Sequence, residues 1–437
     1  MHDHDCVVIH PCKRLAGTIR MPGDKSISHR VVMLSALASG TSTIRGFLRS
    51  EDCLNTTQAV KSMGATVAID GEEIRIAGHD WHAPSGVLDV GNSGTSIRLL
   101  SGLVAGRPWT TEFTGDDSLK SRPMRRIQEP LHRLGAIVEL LGPNGRPPVR
   151  ITGRPLKGID YDMPVASAQV KSCVLLAGLF AEGLTRVREP MPSRDHTERL
   201  FQIVGIPLEM DDGWIGIRGY GPSGPTLAPR DWRVPGDFSS AAFWLVAGSI
   251  VGEAAITLES VGLNPRRTAL LDVLQRMGAS VRMTPEGDAS QHEPAGTITV
   301  QRGALRGTAI GGAEIPGMID ELPVVAVAAA LAEGDTVIRD AQELRVKESD
   351  RIAVMATHLR TFGVPVEERP DGMKVTGGCP IRGGCRVDSF GDHRIAMSMA
   401  ILALAADAPV TIGHVACVDT SYPEFWTHLR QLGAYVE

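Results

Sequence analysis

PLHRLGAIVEL, residues 130–140, joins the end of a helix to the start of a strand through a single glycine. Glycine readily adopts the left-handed backbone conformation that ends many helices. The residues after Gly135 alternate in the way that suits a half-buried strand. This stretch therefore predicts a helix that ends at Gly135, with a strand directly behind it.

The same pattern occurs six times along the 437-residue chain, with spacings of 71, 70, 73, 85 and 70 residues between the glycines. The glycines are Gly64, Gly135, Gly205, Gly278, Gly363 and Gly433. A residue able to cap a helix precedes each glycine by 12 or 14 positions, namely Ser50, Ser121, Ser193, Asn264, Ser349 and Ser421. Glycine-ended helices are common, but six matches with matched caps and near-constant spacing indicate internal repeats.

A second helix, with a polar opening and an Ala/Leu/Val-rich body, is also predicted six times. Its openings are GDKSISHR (23–30), GNSGTSIR (91–98), ASAQVKS (166–172), PGDFSSAA (235–242), GMIDELP (317–323) and GDHRIAM (391–397). The apolar bodies indicate that these helices are buried. We therefore predict an α/β fold of six two-helix, several-strand units, three in each of two domains.

The chain should cross between the domains near Met21–Pro22 and near Val234–Gly236. The predicted domains are a discontinuous one, 1–21 with 236–437, and an inserted one, 22–235. The N-terminal strand then belongs to the C-terminal domain.

Composition excludes several classes of function. The net charge is −5 and aromatic residues make up 4% of the chain, which argues against nucleic-acid binding. The longest apolar runs, such as Leu322–Leu331, are too short to span a bilayer, and the polar start MHDHD leads into no signal-peptide core. Seven scattered cysteines indicate reduced thiols and a cytoplasmic location, and no His or Cys spacing suits a metal.

Cationic and hydroxyl side chains gather at the predicted helix starts, where backbone N–H groups favour anions. Three charged segments stand at the other set of helix starts: KSRPMRR (120–126), RDHTE (194–198) and RVKESDR (345–351). Taken singly, each suits a solvated helix face; taken together, they predict a site for small, multiply anionic substrates. Carboxylates amid these cations, such as Asp320 and Glu348, are candidates for proton transfer. Asp320 could equally cap its helix, and Glu348 could pair with Lys347 at the surface.

The ordered set PGDKSISHR, GNSGTSIR, SRPM, SAQVK, RVKESDR and GDHRIAM closely resembles the 5-enolpyruvylshikimate-3-phosphate synthase family, from about Pro11 to the end. The resemblance implies two domains of three repeats, with helix N-termini facing the interdomain cleft. It implies transfer of the enolpyruvyl group of phosphoenolpyruvate to the 5-hydroxyl of shikimate 3-phosphate, through a tetrahedral intermediate. This is a step of chorismate and aromatic amino acid biosynthesis and the target of glyphosate. No cofactor or metal is implied, and we expect a cytoplasmic monomer without nucleic-acid or membrane partners.

The resemblance also assigns roles to individual residues. Asp320, Glu348 and Lys25 are the implied catalytic residues, with Asp320 as the base near the 5-hydroxyl and Glu348 as the proton carrier near C3. The implied substrate-binding residues are Lys25, Ser26, Arg30, Gly94, Arg122, Ser167, Gln169, Arg194, Asp320, Lys347, Arg351 and Arg394. Within this set Gly94, Arg122, Arg351 and Arg394 are assigned to phosphoenolpyruvate. We leave Arg98 and Lys171 outside the predicted site as supporting residues.

The sequence departs from the family pattern near its end. Thr420 stands where many members place a substrate-gripping lysine, which leaves that contact open. The GDK, SAQxK and RDHTE features resemble class II members, which often tolerate glyphosate, and tolerance is a hypothesis here.

Two alternatives remain at this point. UDP-N-acetylglucosamine enolpyruvyl transferase shares the implied fold, but the loop 114–124 lacks the reactive cysteine of that enzyme. The other alternative is a non-catalytic anion-binding protein on the same scaffold.

Overall fold

The computed structural model describes residues 5–78, 81–252, 254–287 and 292–437. The polar start Met1–His4 lies outside the described residues. The chain divides into two compact units, each with its own hydrophobic core. Unit 1 comprises the described residues of 1–22, 235–289 and 294–437, and unit 2 those of 23–234 and 290–293.

The described residues form 25 strands and 14 α-helices. The strands are β1 Cys6–Ile9, β2 Gly17–Arg20, β3 Gly40–Arg45, β4 Thr66–Asp70, β5 Glu73–Gly78, β6 Leu88–Asp89, β7 Thr110–Thr114, β8 Ile137–Gly142, β9 Arg146–Thr152, β10 Leu156–Lys157, β11 Asp160–Asp162, β12 Ala181–Glu182, β13 Leu184–Arg188, β14 Glu209–Asp211, β15 Trp214–Arg218, β16 Asp231–Arg233, β17 Ile256–Gly262, β18 Ser280–Glu286, β19 Ala295–Gln301, β20 Ala309–Ile310, β21 Gly334–Ile338, β22 Val366–Arg369, β23 Gly372–Gly377, β24 Arg386–Asp388 and β25 Val410–Gly413.

The helices are α1 Lys25–Leu37, α2 Glu51–Ser62, α3 Gly94–Val104, α4 Asp117–Lys120, α5 Arg125–Leu134, α6 Ala168–Gly178, α7 His196–Ile203, α8 Phe238–Ile250, α9 Ala269–Met277, α10 Ile315–Met318, α11 Leu322–Leu331, α12 Arg351–Thr361, α13 His393–Ala403 and α14 Phe425–Gln431. Short 3-10 helices span Gly312–Glu314, Gln342–Val346 and Val415–Thr420.

One sheet order recurs with each repeat. A short strand pairs in parallel with a second strand, which pairs antiparallel with a third, and the third pairs antiparallel with a fourth. In unit 2 these sheets are β16-β3-β5-β4, β6-β7-β9-β8 and β11-β13-β15-β14. In unit 1 they are β2-β17-β19-β18 and β20-β21-β23-β22, with the three-stranded β24-β25-β1 in the sixth place.

All six repeat glycines have positive φ angles, between 79° and 117°, which confirms the prediction made from the sequence. At Gly135 the cap N–H donates back to the carbonyls of His132 and Leu131, so that the left-handed residue closes α5. The strand β8 begins two residues later.

The six predicted apolar helices are α1, α3, α6, α8, α11 and α13, and each is largely buried, as expected. Every residue of α8 is buried. Side chains cap five of the six N-termini: Asp24, Ser93, Ser167, Asp237 and Asp392 each accept a bond from a backbone N–H.

The predicted caps of the other helix set are mostly wrong. Only Ser50 occupies the N-cap position of its helix, and its side chain makes no cap bond. The helices α5, α7, α9, α12 and α14 begin two to five residues beyond the proposed serine or asparagine. In three of these segments a proline follows closely, at Pro123, Pro265 and Pro423, and the residue before a proline disfavours helical geometry.

Candidate active site

In unit 2, the start of α1 places the predicted residue Lys25 beside a buried carboxylate. Asp24 caps the helix through the N–H of Ile27, at 2.9 Å. Lys25 forms an ion pair with Asp52, the second residue of α2, and this carboxylate is buried. The ammonium group of Lys25 is thus held at the N-terminus of its helix by a carboxylate from the neighbouring one.

Arg30, one turn further along α1, is buried and fully oriented by hydrogen bonds. It donates to Thr197 Oγ1 and to Ser172 Oγ, each at 2.7 Å, and to the carbonyl of Ser26 at 2.8 Å. Burial lowers the pKa of Arg30 to about 10, which leaves it cationic at neutral pH. The carboxylates of Glu198 and Asp24 oppose this lowering of the pKa, and the charge of Arg194 contributes to it. Two cations that influence each other in this way favour an anion beside them.

The starts of α3 and α6 meet at a second polar cluster of unit 2. Gln169 accepts a hydrogen bond from Arg98 and donates to Thr95 Oγ1, at 3.0 Å. Arg122 donates to Asn92 Oδ1 and to Ser118 Oγ, the latter at 3.0 Å.

Gly94, the first residue of α3, lies against both of these guanidinium groups. A Cβ atom placed there would stand 3.0 Å from Arg98 Nη1 and 3.3 Å from Arg122 Nη1. The glycine therefore keeps two guanidinium groups accessible at a helix N-terminus, which is the arrangement that suits a small anion.

In unit 1, Arg351 is the hub of a cluster of acidic side chains. It donates to Asp392 at 2.8 and 3.2 Å, to Glu348 at 2.6 Å and to Asp320 at 3.3 Å. Its side chain is 1% exposed. Burial disfavours the guanidinium charge, but the three carboxylates outweigh that effect and raise the pKa of Arg351. The pKa of Asp392 is lowered because the attraction of Arg351 opposes its burial.

Asp320 has two further cationic neighbours. Lys347 Nζ lies 3.0 Å from its carboxylate, and Arg394 donates to its backbone carbonyl at 2.9 Å. Arg394 also lies 3.7 Å from the buried Glu321. The alternatives raised by the sequence are not what the structure shows: Glu321, not Asp320, is the N-cap residue of α11, and Glu348 pairs with the buried Arg351.

The predicted site residues thus form two groups, each within one unit. Unit 2 carries Lys25, Ser26, Arg30, Gly94, Arg122, Ser167, Gln169 and Arg194, and unit 1 carries Asp320, Lys347, Glu348, Arg351 and Arg394. Thr420 donates to the carbonyl of Cys417 at 2.7 Å, inside a 3-10 helix.

Sequence reasoning missed Asp52, Thr197 and Ser172, which hold these side chains in place, whereas it expected Arg98 to be a supporting residue. Asp52 anchors Lys25, Thr197 and Ser172 anchor Arg30, and Arg98 binds Gln169. Arg98 stands one helical turn after Gly94, and this spacing indicates a side chain close to the helix start.

Two negative findings apply to the described part of the chain. No group of three or more His, Cys, Asp or Glu side chains is arranged there to hold a metal ion. None of the helices found there is long and apolar enough to cross a membrane.

The chain was compared with protein-family models and with the sequences of known proteins. The family model for EPSP synthase (3-phosphoshikimate 1-carboxyvinyltransferase) matches residues 9–429. The chain belongs to the EPSP synthase family. The 3-phosphoshikimate 1-carboxyvinyltransferase of Geobacter sulfurreducens is 51% identical over 95% of this chain and 96% of that protein. The enzyme of the same name from Bacillus subtilis is 47% identical over 96% and 97%.

Solved structures agree with this membership. The EPSP synthase of Acinetobacter baumannii superposes with a TM-score of 0.87, at 42% identity and 99% coverage of both chains. The enolpyruvyl transferase NikO from Streptomyces tendae, at 22% identity, shares the fold with a TM-score of 0.83. The predicted enolpyruvyl transferase fold is thereby confirmed.

Proposed function

We propose that this member of the EPSP synthase family transfers the enolpyruvyl group of phosphoenolpyruvate to the 5-hydroxyl of shikimate 3-phosphate and releases phosphate. The carboxylates of Asp320 and Glu348 on one buried arginine carry the proposal, because the chemistry needs two proton carriers beside a cation. The names of the relatives supply the substrates, and the alternative acceptor, UDP-N-acetylglucosamine, has less support from the comparisons.

The cationic groups of unit 2 suit the phosphorylated acceptor. Arg30 and Arg194 would hold its phosphate, with Ser26, Ser167 and Gln169 as hydrogen-bonding partners. The hydroxyl of Ser167 already accepts the N–H of Val170 at 3.4 Å, so the α6 N-terminus would offer its remaining N–H groups to the ligand. Lys347 of unit 1 would contact the same substrate.

Arg122, Arg351 and Arg394 would bind the phosphate and carboxylate of phosphoenolpyruvate, with Gly94 leaving room for it. An anion on Arg351 would compete with Glu348 for Nη2, the atom that this carboxylate now accepts from at 2.6 Å. The released carboxyl group would then be free to exchange a proton with the substrate.

The proton steps balance as follows. In the addition, Asp320 would take the proton of the attacking 5-hydroxyl while the carboxylic acid of Glu348 gives a proton to C3. In the elimination, Glu348 would take a proton back from C3 as phosphate leaves, and the departing oxygen would receive the proton held by Asp320. Lys25 would stabilise the negative charge at the reacting centre, since its position is fixed by Asp52.

The direct test is phosphate release from phosphoenolpyruvate with two separate acceptors. Release with shikimate 3-phosphate, and none with UDP-N-acetylglucosamine, is the expected result. Release with the sugar nucleotide alone would replace the proposed acceptor, and release with neither would favour a binding protein. The monomeric state, the cytoplasmic location and glyphosate tolerance stay predictions from the sequence.

A further inference from the structure

A buried cluster of three charged side chains joins α6 to the start of α7 in unit 2. Lys171 Nζ lies 2.7 Å from Glu189 Oε2 and 2.7 Å from Glu198 Oε1. The exposed fractions of the three side chains are 2%, 5% and 8%. The proposed chemistry uses none of these residues, so the cluster needs another explanation.

Stability alone is a weak explanation for such a cluster. Burial disfavours the Lys171 charge, but the two carboxylates outweigh it and raise the pKa of Lys171. Burial raises the pKa of Glu198, and the Lys171 charge opposes that rise. Apolar side chains of similar size often stabilise a protein as well as a buried ion pair does. The cluster is better explained by the two neighbouring features that it holds in place, which are the loop before Arg194 and the hydrogen-bond partners of Arg30.

The cluster fixes the loop that carries Arg194. Glu189 accepts the backbone N–H of Ser193 at 3.2 Å and also accepts a hydrogen bond from the Ser193 hydroxyl. These hydrogen bonds join the two ends of the segment 189–193 and so fix the conformation of the chain directly before Arg194. Lys171 connects this loop to α6, because it donates to Glu189 Oε2, the oxygen that also accepts the N–H of Ser193.

The cluster also fixes the partners of Arg30. Ser172 follows Lys171 in the chain, and Thr197 precedes Glu198. Their hydroxyls lie 2.6 Å apart and both accept hydrogen bonds from Arg30. A shift of α7 against α6 would separate these two acceptors and leave the buried guanidinium without one of them.

We infer that Lys171, bridged to Glu189 and Glu198, is a positioning residue that holds Arg30 and Arg194 together as one preformed anion site. The inference rests on the proposed function, in which this site takes the phosphate of shikimate 3-phosphate. It assigns no contact between Lys171 and the substrate.

Two double variants distinguish the loss of the Lys171 ammonium bridge from a change in the net charge of the cluster. Wild type carries one cation and two carboxylates in the cluster, a net charge of −1. Lys171→Met/Glu198→Gln and Lys171→Met/Glu189→Gln both keep that net charge and remove the ammonium bridge. The single variant Lys171→Met leaves two buried carboxylates facing each other and should lose much more thermal stability than either double variant.

We expect both double variants to weaken binding of shikimate 3-phosphate at least tenfold, because charge-assisted hydrogen bonds at a preformed site are worth about tenfold each or more. The KM for phosphoenolpyruvate should stay within about threefold of wild type. Binding is measured by calorimetry without phosphoenolpyruvate, which makes it independent of turnover, and both KM values follow from phosphate release.

Leu134→Ala is the control for lost stability. Leu134 is buried at the end of α5 and belongs to neither group of site residues. It should lower the melting temperature without moving the affinity for shikimate 3-phosphate.

The inference is overturned if the double variants bind shikimate 3-phosphate within threefold of wild type. It is also overturned if both KM values rise alike, or if Leu134→Ala weakens binding to the same extent. Failure of wild type to release phosphate with shikimate 3-phosphate would instead refute the proposed function, and the calorimetric comparison would still decide the role of Lys171.

Discussion

Replacing Glu348 by glutamine should lower kcat by at least a hundredfold, and the size of the loss distinguishes proton transfer from ion pairing. The glutamine oxygen can still accept a hydrogen bond from Arg351 Nη2, now 2.6 Å from the carboxylate. Arg351 also keeps both bonds to Asp392 and the contact with Asp320. If Glu348 served only as an ion-pair partner, the change would remove the charge-assisted part of this bond, which is worth about 1–2 kcal/mol. The corresponding loss in kcat would be about five- to thirtyfold. Loss of a general acid–base group costs about 10²- to 10⁴-fold.

The measurement is kcat from phosphate release at saturating concentrations of both substrates, together with deuterium incorporation at C3 in D₂O. Both should fall together, because Glu348 is proposed to give and take the C3 proton.

Asp350→Asn is the matched control, two residues away. Asp350 pairs with Arg345 at 2.8 Å and caps α12 through the N–H of Ala353 at 3.0 Å. Asparagine is an equally good cap, so this variant also loses one ion-pair charge and should change kcat by less than threefold. A kcat for Glu348→Gln within tenfold of wild type would refute the reasoning, as would an equal loss in Asp350→Asn.

Three further perturbations test other parts of the site. Asp320→Asn should lower kcat at least a hundredfold and change the KM for phosphoenolpyruvate far less, because it removes the proposed base; steady-state kinetics separate the two. Gly94→Ala should raise the KM for phosphoenolpyruvate about tenfold, since its methyl group would stand 3.0 Å from Arg98 Nη1 and 3.3 Å from Arg122 Nη1. His29→Asn should remove part of the acid sensitivity of unit 2: burial, with nearby cations, lowers the pKa of His29 well below 6.5. As the pH falls, the unfolded chain takes up that proton first. The free energy of unfolding of wild type, measured by urea titration, should therefore fall by about 2 kcal/mol between pH 7 and pH 5, and the variant should lack this loss.

Each of these predictions has a result that would contradict it. Equal effects of Asp320→Asn on kcat and on affinity would mean a binding role alone. An unchanged KM in Gly94→Ala would mean that the anion lies elsewhere. Identical pH dependence of stability in wild type and His29→Asn would show that His29 has the same pKa in the folded and the unfolded chain.

The features that local chemistry determines could be predicted from the sequence. A left-handed residue at the end of a helix demands glycine at a definite place, and all six such positions were correct. The cap predictions failed because a serine near a helix start is only a weak signal. A proline that follows it can delay the start of the helix, as Pro123 does after Ser121.

Apart from Arg98 and Lys171, the supporting residues of the site could not be predicted from local pattern. Thr197 and Arg30 are 167 positions apart, and Asp392 and Arg351 are 41 apart. Only the folded chain brings such partners together, and no periodicity in the sequence indicates which of many threonines or aspartates is chosen. The predicted ligand-binding residues could be chosen from the sequence because most of them stand at or near predicted helix starts, where the chemistry is local.

The two ends of the segment 23–234 both lie beside Gly46, the residue that follows β3. The N–H of Val234 donates to the carbonyl of Arg45 at 2.9 Å. A side chain on Gly23 would collide with the backbone of Gly46, and a side chain on Gly46 would collide with the backbone of Val234. On the other side of the crossings, the N–H of Asp237 donates to the carbonyl of Pro22 at 2.7 Å within unit 1. To unit 1, the segment 23–234 is therefore equivalent to an inserted tight turn. A two-glycine bridge from Pro22 to Pro235 should leave unit 1 as a self-contained protein, and unit 2 should tolerate circular permutation with its original ends joined.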